Sequence, residues 1–353
     1  EYAGLPLADK TKTFFTFDLC APACTLRYAD NQQACRDFAL KQGVEVFDVD
    51  RGIGTHVLME EGLAQPNSTV VGTDSHMNIL GAVGCFGQGM GDVDITFAFR
   101  SGRTWFEVPE TVKVVIKGTY KPPTSAKDLT LFLLKELGTK KIALRAAEFY
   151  GPAVAGLNLS GRLTLASMIT EMAGIIGFIP ERFEAAKQEI ISLIRTPRAI
   201  ASSVSADEDA AYAEIIQLDV QGLPALVAAP FSPTNVKPVS ELRGIKIHSG
   251  FIGSCTNGRV EDFAEAAKIL KGRKVKKGVM LKVVPATRRV YEELISRGIL
   301  EDLFQSGAII HNPGCGGCAE GHVGLTGKGE VQISTGNRNF AGKQGKGQTY
   351  LAS

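Results

Sequence analysis

Three cysteines define the chemistry open to this chain. Cys255 stands in Gly-Ser-Cys-Thr-Asn-Gly, and Cys315 and Cys318 stand in Asn-Pro-Gly-Cys-Gly-Gly-Cys-Ala-Glu-Gly. Both segments are glycine-rich turns that follow apolar runs of β character. Thiolates are the preferred ligands of iron–sulfur clusters; four would close every iron of a cubane, whereas three leave one iron open. An open metal position admits a substrate oxygen or water, which is what Lewis-acid catalysis requires. The same cysteines with His322 would make a Cys₃His zinc set. A redox Cys-x-x-Cys is a further reading, without a thioredoxin-like setting to support it. Spacing alone leaves cluster and zinc open. Cys20, Cys24, Cys35 and Cys85 are scattered, and Cys35 and Cys85 read as small buried apolar residues.

A second group of residues has types suited to proton transfer and carboxylate binding. Gly72-Thr73-Asp74-Ser75-His76 follows a β-run, so its polar side chains project at a sheet end; Asp74 can orient His76 or act beside it. The plainer reading is a turn whose Asp and Ser cap a helix. His56, in Gly52-Ile53-Gly54-Thr55-His56, is a lone loop histidine and by itself reads as structural, as do His248 and His311 in or beside strands. Glu148 is a loop carboxylate, at a site or simply solvated. Arg338, with Lys343 nearby, has the fork that binds a substrate carboxylate, or belongs to an ordinary basic loop. Glycines 81, 84, 87, 89 and 91 fit no dinucleotide fingerprint; close backbone packing beneath the site accounts for them better.

The elements that must position these residues follow from periodicity. In the N-terminal third, β-rich runs at 13–17, 44–49, 69–73 and 112–117 alternate with helical periodicity at 28–41 and a glycine-rich helical stretch at 80–106. This order predicts an α/β domain with a largely parallel sheet. Lys121-Pro122-Pro123-Thr124-Ser125 and the segment 231–238 read as linkers, giving domains over 1–120, 121–238 and 239–353. The middle section shows helices at 126–137 and 163–176. The last is β-α-β again, with strands at 245–252, 281–285 and 308–311 and helices at 261–270 and near 288–298. Both cysteine loops therefore lie beyond the carboxyl ends of strands, where open α/β sheets place their sites.

Composition narrows the class further. With 44% apolar and 22% charged residues the chain is that of a soluble globular protein, and 353 residues exceed one ordinary core. A net charge of +2 offers no basic surface for nucleic acid or membrane. No apolar run approaches the roughly 20 residues of a membrane span. Seven cysteines without secretory features read as reduced thiols or metal ligands, and the expected compartment is the cytoplasm.

Taken together and in this order, Gly-Thr-Asp-Ser-His at 72–76, Gly-Ser-Cys-Thr-Asn-Gly at 253–258, Asn-Pro-x-Cys-Gly-x-Cys at 312–318 and Asn-Arg-Asn-Phe at 337–340 resemble the aconitase family of iron–sulfur hydro-lyases. The resemblance runs from about Phe17 to the C-terminus. Asn-Val-Lys-Pro-Val-Ser at 235–240 and the Tyr-Leu-Ala-Ser ending point to the branch acting on isopropylmalate or homoaconitate. It implies three α/β domains with mostly parallel sheets around a [4Fe–4S] cluster on Cys255, Cys315 and Cys318. It also implies reversible dehydration of a hydroxy di- or tricarboxylate, as in leucine biosynthesis, within a heterodimer. By the same resemblance Asp18, Asp74 and His76 handle protons, His56 contacts the site, and Glu148 lies near the leaving hydroxyl. Ser75, Arg338 and Lys343 would bind substrate. A separate small subunit, a mobile α/β domain, would supply a serine base and arginines.

Three departures accompany the resemblance. Asp18 is followed by Leu19 where the family usually has histidine. Lys343 replaces a second arginine and loses its fork. The sequence also starts several dozen residues into a full family large subunit. The alternatives are a catalytically weak scaffold subunit or a cluster-free RNA-binding regulator, the latter without a basic stripe.

Overall fold

The pattern Thr-Val-Lys-Val-Val-Ile-Lys at 111–117 buries every second residue, Val112, Val114 and Ile116, as a strand packed on one face should. It is the centre of a sheet. In the computed structural model, which describes residues 6–194, 205–318 and 324–353, fifteen strands fall into four sheets. β1 (Phe14–Thr16) pairs in parallel with β2 (Glu45–Phe47), and β3 (Thr69–Gly72) with β4 (Phe86–Gly89). β5 (Thr111–Lys117), β6 (Ala146–Tyr150), β7 (Ile176–Phe178) and β8 (Glu214–Asp219) form an all-parallel sheet in the order β7-β6-β5-β8.

The remaining strands are β9 (Leu226–Ala228), β10 (Val236–Pro238), β11 (Ser249–Gly253), β12 (Met280–Val284), β13 (Ile309–Ile310), β14 (Val331–Ser334) and β15 (Gln348–Leu351). They make one seven-stranded sheet, ordered β10-β9-β15-β14-β11-β12-β13. Only the β10-β9 and β9-β15 pairings are antiparallel. The expectation of an α/β fold with mostly parallel sheets is met.

Both sheets cross the linkers read from the sequence. β5 precedes Lys121-Pro122-Pro123 yet pairs with β6 and β8 beyond it; β9 and β10 precede position 239 yet extend the last sheet. The expected boundaries at 120 and 238 therefore each divide a sheet. Proline-rich segments reverse the chain there without ending the hydrogen-bonded unit. The glycine-rich stretch 80–106 is also not one helix: it contains β4 between the 3₁₀ turn Met77–Val83 and the helix Asp92–Ser101. The middle section carries strands β6, β7 and β8 besides its helices, and the helical stretch expected over 163–176 gives way to the 3₁₀ turn Met168–Met172 and then to β7.

Helix Ala126–Glu136 joins fold to site. Ser125 and Asp128 cap its start reciprocally, with Asp128 Oδ2 accepting from Ser125 N at 2.7 Å and Ser125 Oγ from Lys127 N at 3.1 Å. Asp128 Oδ1 also accepts from Leu226 N at 2.6 Å, pinning β9. Leu129, Leu131, Leu133 and Leu134 enter a core shared by the central sheet and the edge of the last one. Burying each contributes roughly 1.5–3 kcal/mol before the cost of ordering it. A second core, with Ile53, Val57, Ile79, Leu80, Leu163 and Ala166, reaches Cys255, so the first cysteine loop sits on packed side chains. No helix among the described residues is long and apolar enough to cross a membrane.

Candidate active site

The parallel strands of the last sheet deliver the site residues from their carboxyl ends. Cys255 follows β11, Cys315 and Cys318 follow β13, and Asn337 and Arg338 follow β14. Asn337, wholly buried, ties two of these loops: its Nδ2 donates to Cys255 Sγ at 3.1 Å, and Cys318 Sγ donates to its Oδ1 at 3.3 Å. The Cys255 turn is held from beneath by helix Leu159–Ser167. Thr164 Oγ1 donates to Thr256 O at 2.9 Å, and the Ser167 and Thr256 hydroxyls meet at 2.7 Å.

Burial pushes the Cys255 thiol up to about 12, with the charges of Cys318 and Asp74 adding to it. Cys315 lies well above its ordinary value for the same reason, with Asp18, Asp74 and the other two cysteines around it. Cys318 is raised by burial too. These thiols become thiolates only if a cation sits among them. Among the described residues no three His, Cys, Asp or Glu side chains crowd together as ligands of a single ion. Ligands of a multi-iron cluster bind different corners and need not crowd. His322, the fourth ligand of the zinc reading, lies outside the described residues.

His56 borders the same space. It is fully buried in helix Gly54–Glu60, hydrogen-bonded to the Cys255 main chain, and its Nε2 has no partner among the described residues. Burial and the charge of Arg259 push it down to about 3, so it is a neutral imidazole. A buried polar atom without a protein partner is costly, so this Nε2 is placed to meet a group bound beside the cysteines. The thiols, Asp18, Asp74 and this atom fit an iron–sulfur group.

Facing the cysteines is a network built on the turn after β3. Asp74 Oδ1 accepts from His76 N at 2.9 Å, and His76 Nε2 meets Glu171 Oε1 at 3.1 Å. Arg338 Nε donates to the same Oε1 at 2.9 Å, and its Nη2 to Ser75 Oγ at 2.6 Å. Nη2 lies 3.1 and 3.3 Å from the two His76 ring nitrogens, so the guanidinium lies across the ring. Burial opposes the Glu171 charge, but His76 and Arg338 outweigh it and hold the carboxyl below its ordinary 4.5. The glycines beneath allow this turn its close packing: a Cβ on Gly87 would fall 2.0 Å from Met77 O, and one on Gly89 2.5 Å from Asp74 O.

Asp18 is joined to the site by main-chain contacts. Its carbonyl accepts from Cys315 N at 3.2 Å and its Oδ2 from Gly54 N at 2.9 Å. Burial and the nearby Asp74 raise its carboxyl. Two expected residues are not brought into the network. Glu148 lies in β6, where Oε2 accepts from the Tyr150 and Tyr212 hydroxyls, each at 2.8 Å; no described hydrogen bond or ion pair joins it to Asp74, His76 or Arg338. Lys343 is exposed, and its ammonium makes no described hydrogen bond or ion pair.

Besides Asn337, two residues of the site were not anticipated. Glu171 comes from the 3₁₀ turn Met168–Met172. Lys127, 1% exposed, donates to Gly336 O at 2.8 Å, Thr335 O at 2.9 Å and Asn257 Oδ1 at 3.2 Å. One ammonium thus ties the loop after Cys255 to the loop before Asn337, and burial lowers it to about 8. Lys127→Met leaves those three acceptors unpaired and is expected to cost about 2–4 kcal/mol in urea unfolding. An unchanged midpoint would show that the tie contributes nothing.

The profile of the Aconitase family (aconitate hydratase) matches residues 23–244 and 235–353. Homoaconitase large subunit of Thermus thermophilus is 42% identical over 100% of this chain and 83% of its own length. The probable 3-isopropylmalate dehydratase large subunit of Methanothermobacter thermautotrophicus is 39% identical over 98% and 82%. The chain belongs to the aconitase family. Its type is the large subunit of an isopropylmalate dehydratase or homoaconitase hydro-lyase. The fold is also similar to that of aconitase X from Thermococcus kodakaraensis, 14% identical with a TM-score of 0.55 over 95% of this chain and 76% of that one. Family membership implies an iron–sulfur cluster, and the large-subunit type implies a small-subunit partner.

Proposed function

We propose that this large subunit holds a [4Fe–4S] cluster on Cys255, Cys315 and Cys318. With a small subunit it would reversibly dehydrate a hydroxy di- or tricarboxylate of the isopropylmalate or homocitrate class. The observation that carries the reading is the convergence of the Cys255, Cys315 and Cys318 thiols, two of them joined by Asn337, beside the network of Asp74, His76, Glu171 and Arg338. When bound, the cluster supplies Lewis acidity at its open iron. Three α/β units, centred on the N-terminal parallel pairs, the β5–β8 sheet and the last sheet, would surround it.

The protein's own groups then divide the work. Glu171 fixes the His76 ring through Nε2, and Nδ1, beside Ser75 Oγ at 3.3 Å and Arg338 Nη2 at 3.1 Å, is the atom that exchanges a proton with the hydroxyl side of the substrate. Asp74 orients the turn by accepting the His76 main-chain N–H. Arg338 uses Nε and Nη2 within the protein, and Nη1 has no described bond, so its N–H groups are available to a substrate carboxylate. Glu171 takes the place assigned to Glu148, and Lys343 is left as a peripheral charge. The carbon-bound proton falls to the small subunit, whose mobile α/β domain would bring a serine base and further arginines.

The test is anaerobic reconstitution of the chain with iron and sulfide, followed by enoate absorbance on isopropylmalate and homocitrate-type acids with and without small subunit. Negligible turnover alone, restored to a plateau at equimolar partner, is expected. Full turnover by the chain alone, with contaminating partner excluded by mass spectrometry, would overturn the division of labour.

A further inference from the structure

Away from the cluster cysteines, two more sulfurs touch. The turn after β1 runs Asp18-Leu19-Cys20-Ala21-Pro22-Ala23-Cys24, and the Cys24 thiol lies 3.4 Å from the Cys20 sulfur. Cys24 is exposed, whereas Cys20 is 1% exposed. Both belong to one short turn, so closing the gap to the roughly 2.05 Å of a disulfide asks for side-chain movement and not the meeting of distant segments.

This turn is also bonded to the second cysteine loop. Asp18 O accepts from Cys315 N at 3.2 Å, and Ala21 O accepts from Asn312 Nδ2 at 3.0 Å. On the other side Gln32 Nε2 donates to Cys20 O at 3.1 Å, anchoring the turn to helix Leu26–Gln42. Movement at Cys20 therefore reaches Asn312 and Cys315 through the main chain that carries them.

We propose that Cys20 and Cys24 are a reversible thiol–disulfide site, closed by hydrogen peroxide, whose state is transmitted to the Cys315 loop. The disulfide claim stands apart from the proposed function; only the consequence for a cluster ligand rests on it. Cys24, the accessible sulfur, attacks as thiolate on one peroxide oxygen. The O–O bond breaks, a proton is taken up, and water leaves with Cys24 as sulfenic acid. Cys20 then attacks the Cys24 sulfur, the S–S bond forms, and the S–O bond breaks. The departing hydroxide takes the Cys20 proton as a second water. The two thiols lose two electrons and two protons, and the peroxide gains both. Burial raises the Cys20 thiol to about 11, which suits the resolving role better than the attacking one. A dithiol reductant reverses the step.

The tryptic peptide 13–27 contains Cys20 and Cys24 and no other cysteine. The full chain, prepared anaerobically, is treated with limiting hydrogen peroxide, alkylated in denaturant and digested. Peptide 13–27 is expected to lose about 2 Da and to take no alkyl group until reduced. In Cys20→Ser, Cys24 is expected to pass on to sulfinic or sulfonic acid for want of a resolving thiol. Double alkylation of 13–27 when Cys255, Cys315 or Cys318 is already oxidised would overturn the site, as would over-oxidised Cys24 beside alkylated Cys20 in the wild type. Hydrogen exchange then tests transmission: oxidation should change the Cys315 amide rate severalfold, and an unchanged rate would overturn the coupling.

Discussion

Glu171→Gln is expected to lower turnover by on the order of 10²–10⁴-fold, the usual contribution of a positioned proton-transfer assembly. The substitution keeps the shape of the side chain and removes its charge. Arg338 and His76 then face a neutral amide in a buried setting, the Nε2 tautomer is no longer fixed, and the guanidinium loses its partner at 2.9 Å. Substrate KM should rise as well, because Arg338 is held in place by that carboxylate. Glu148→Gln is the paired control: its carboxylate is spent on two tyrosine hydroxyls in β6, and turnover should stay near wild type. Equal losses in the two variants would contradict the assignment of Glu171. The acid limb of stability follows with a definite sign. A carboxyl held below its ordinary 4.5 contributes stability that is full above that value and lost as pH falls through the depressed one. Glu171→Gln should flatten this acid limb of a urea-midpoint profile.

The other large effect belongs to the cysteines. Cys255→Ser, Cys315→Ser or Cys318→Ser should each reduce retained iron from about four per chain to near none, with turnover lost alongside. The folded chain should survive, since each replacement exchanges one small side chain for another of similar size, and of the three only Cys255 is buried. Cys35→Ser should leave iron content unchanged, because Cys35 lies on helix Leu26–Gln42 away from the loops that converge. Iron retained at wild-type level in any of the three variants would remove that residue from the ligand set.

How far these assignments were readable from sequence depended on where each residue sits. Cys255, Asp74, His76 and Arg338 stand in glycine-flanked polar turns after apolar runs, and such turns end parallel strands where sites form. Glu171 was hidden by its surroundings. It is the one acidic residue in the helical run 163–176, which otherwise reads as buried core. A carboxylate cannot be buried there unpaired, and that was the available signal. Lys127 was concealed in the same way, as a cation at the start of a helix whose apolar stripe fills the core. Glu148 stands apart from the network for the opposite reason. Tyr150-Gly151-Pro152 resembles a strand-to-site turn, but alternation in β6 puts Glu148 on the face of Tyr150, opposite Phe149. The sheet partners of β5 were not legible either, because pairing joins strands across linkers that local turn chemistry marks as breaks.

The account rests on three thiolates holding a cluster, and metal analysis tests that most directly. Chain purified without oxygen, or reconstituted and desalted, is assayed for iron, acid-labile sulfide and zinc. The account predicts about four irons and about four sulfides per chain, falling toward a three-iron form in air as the iron without a protein ligand leaves. Stoichiometric zinc with no sulfide would contradict it.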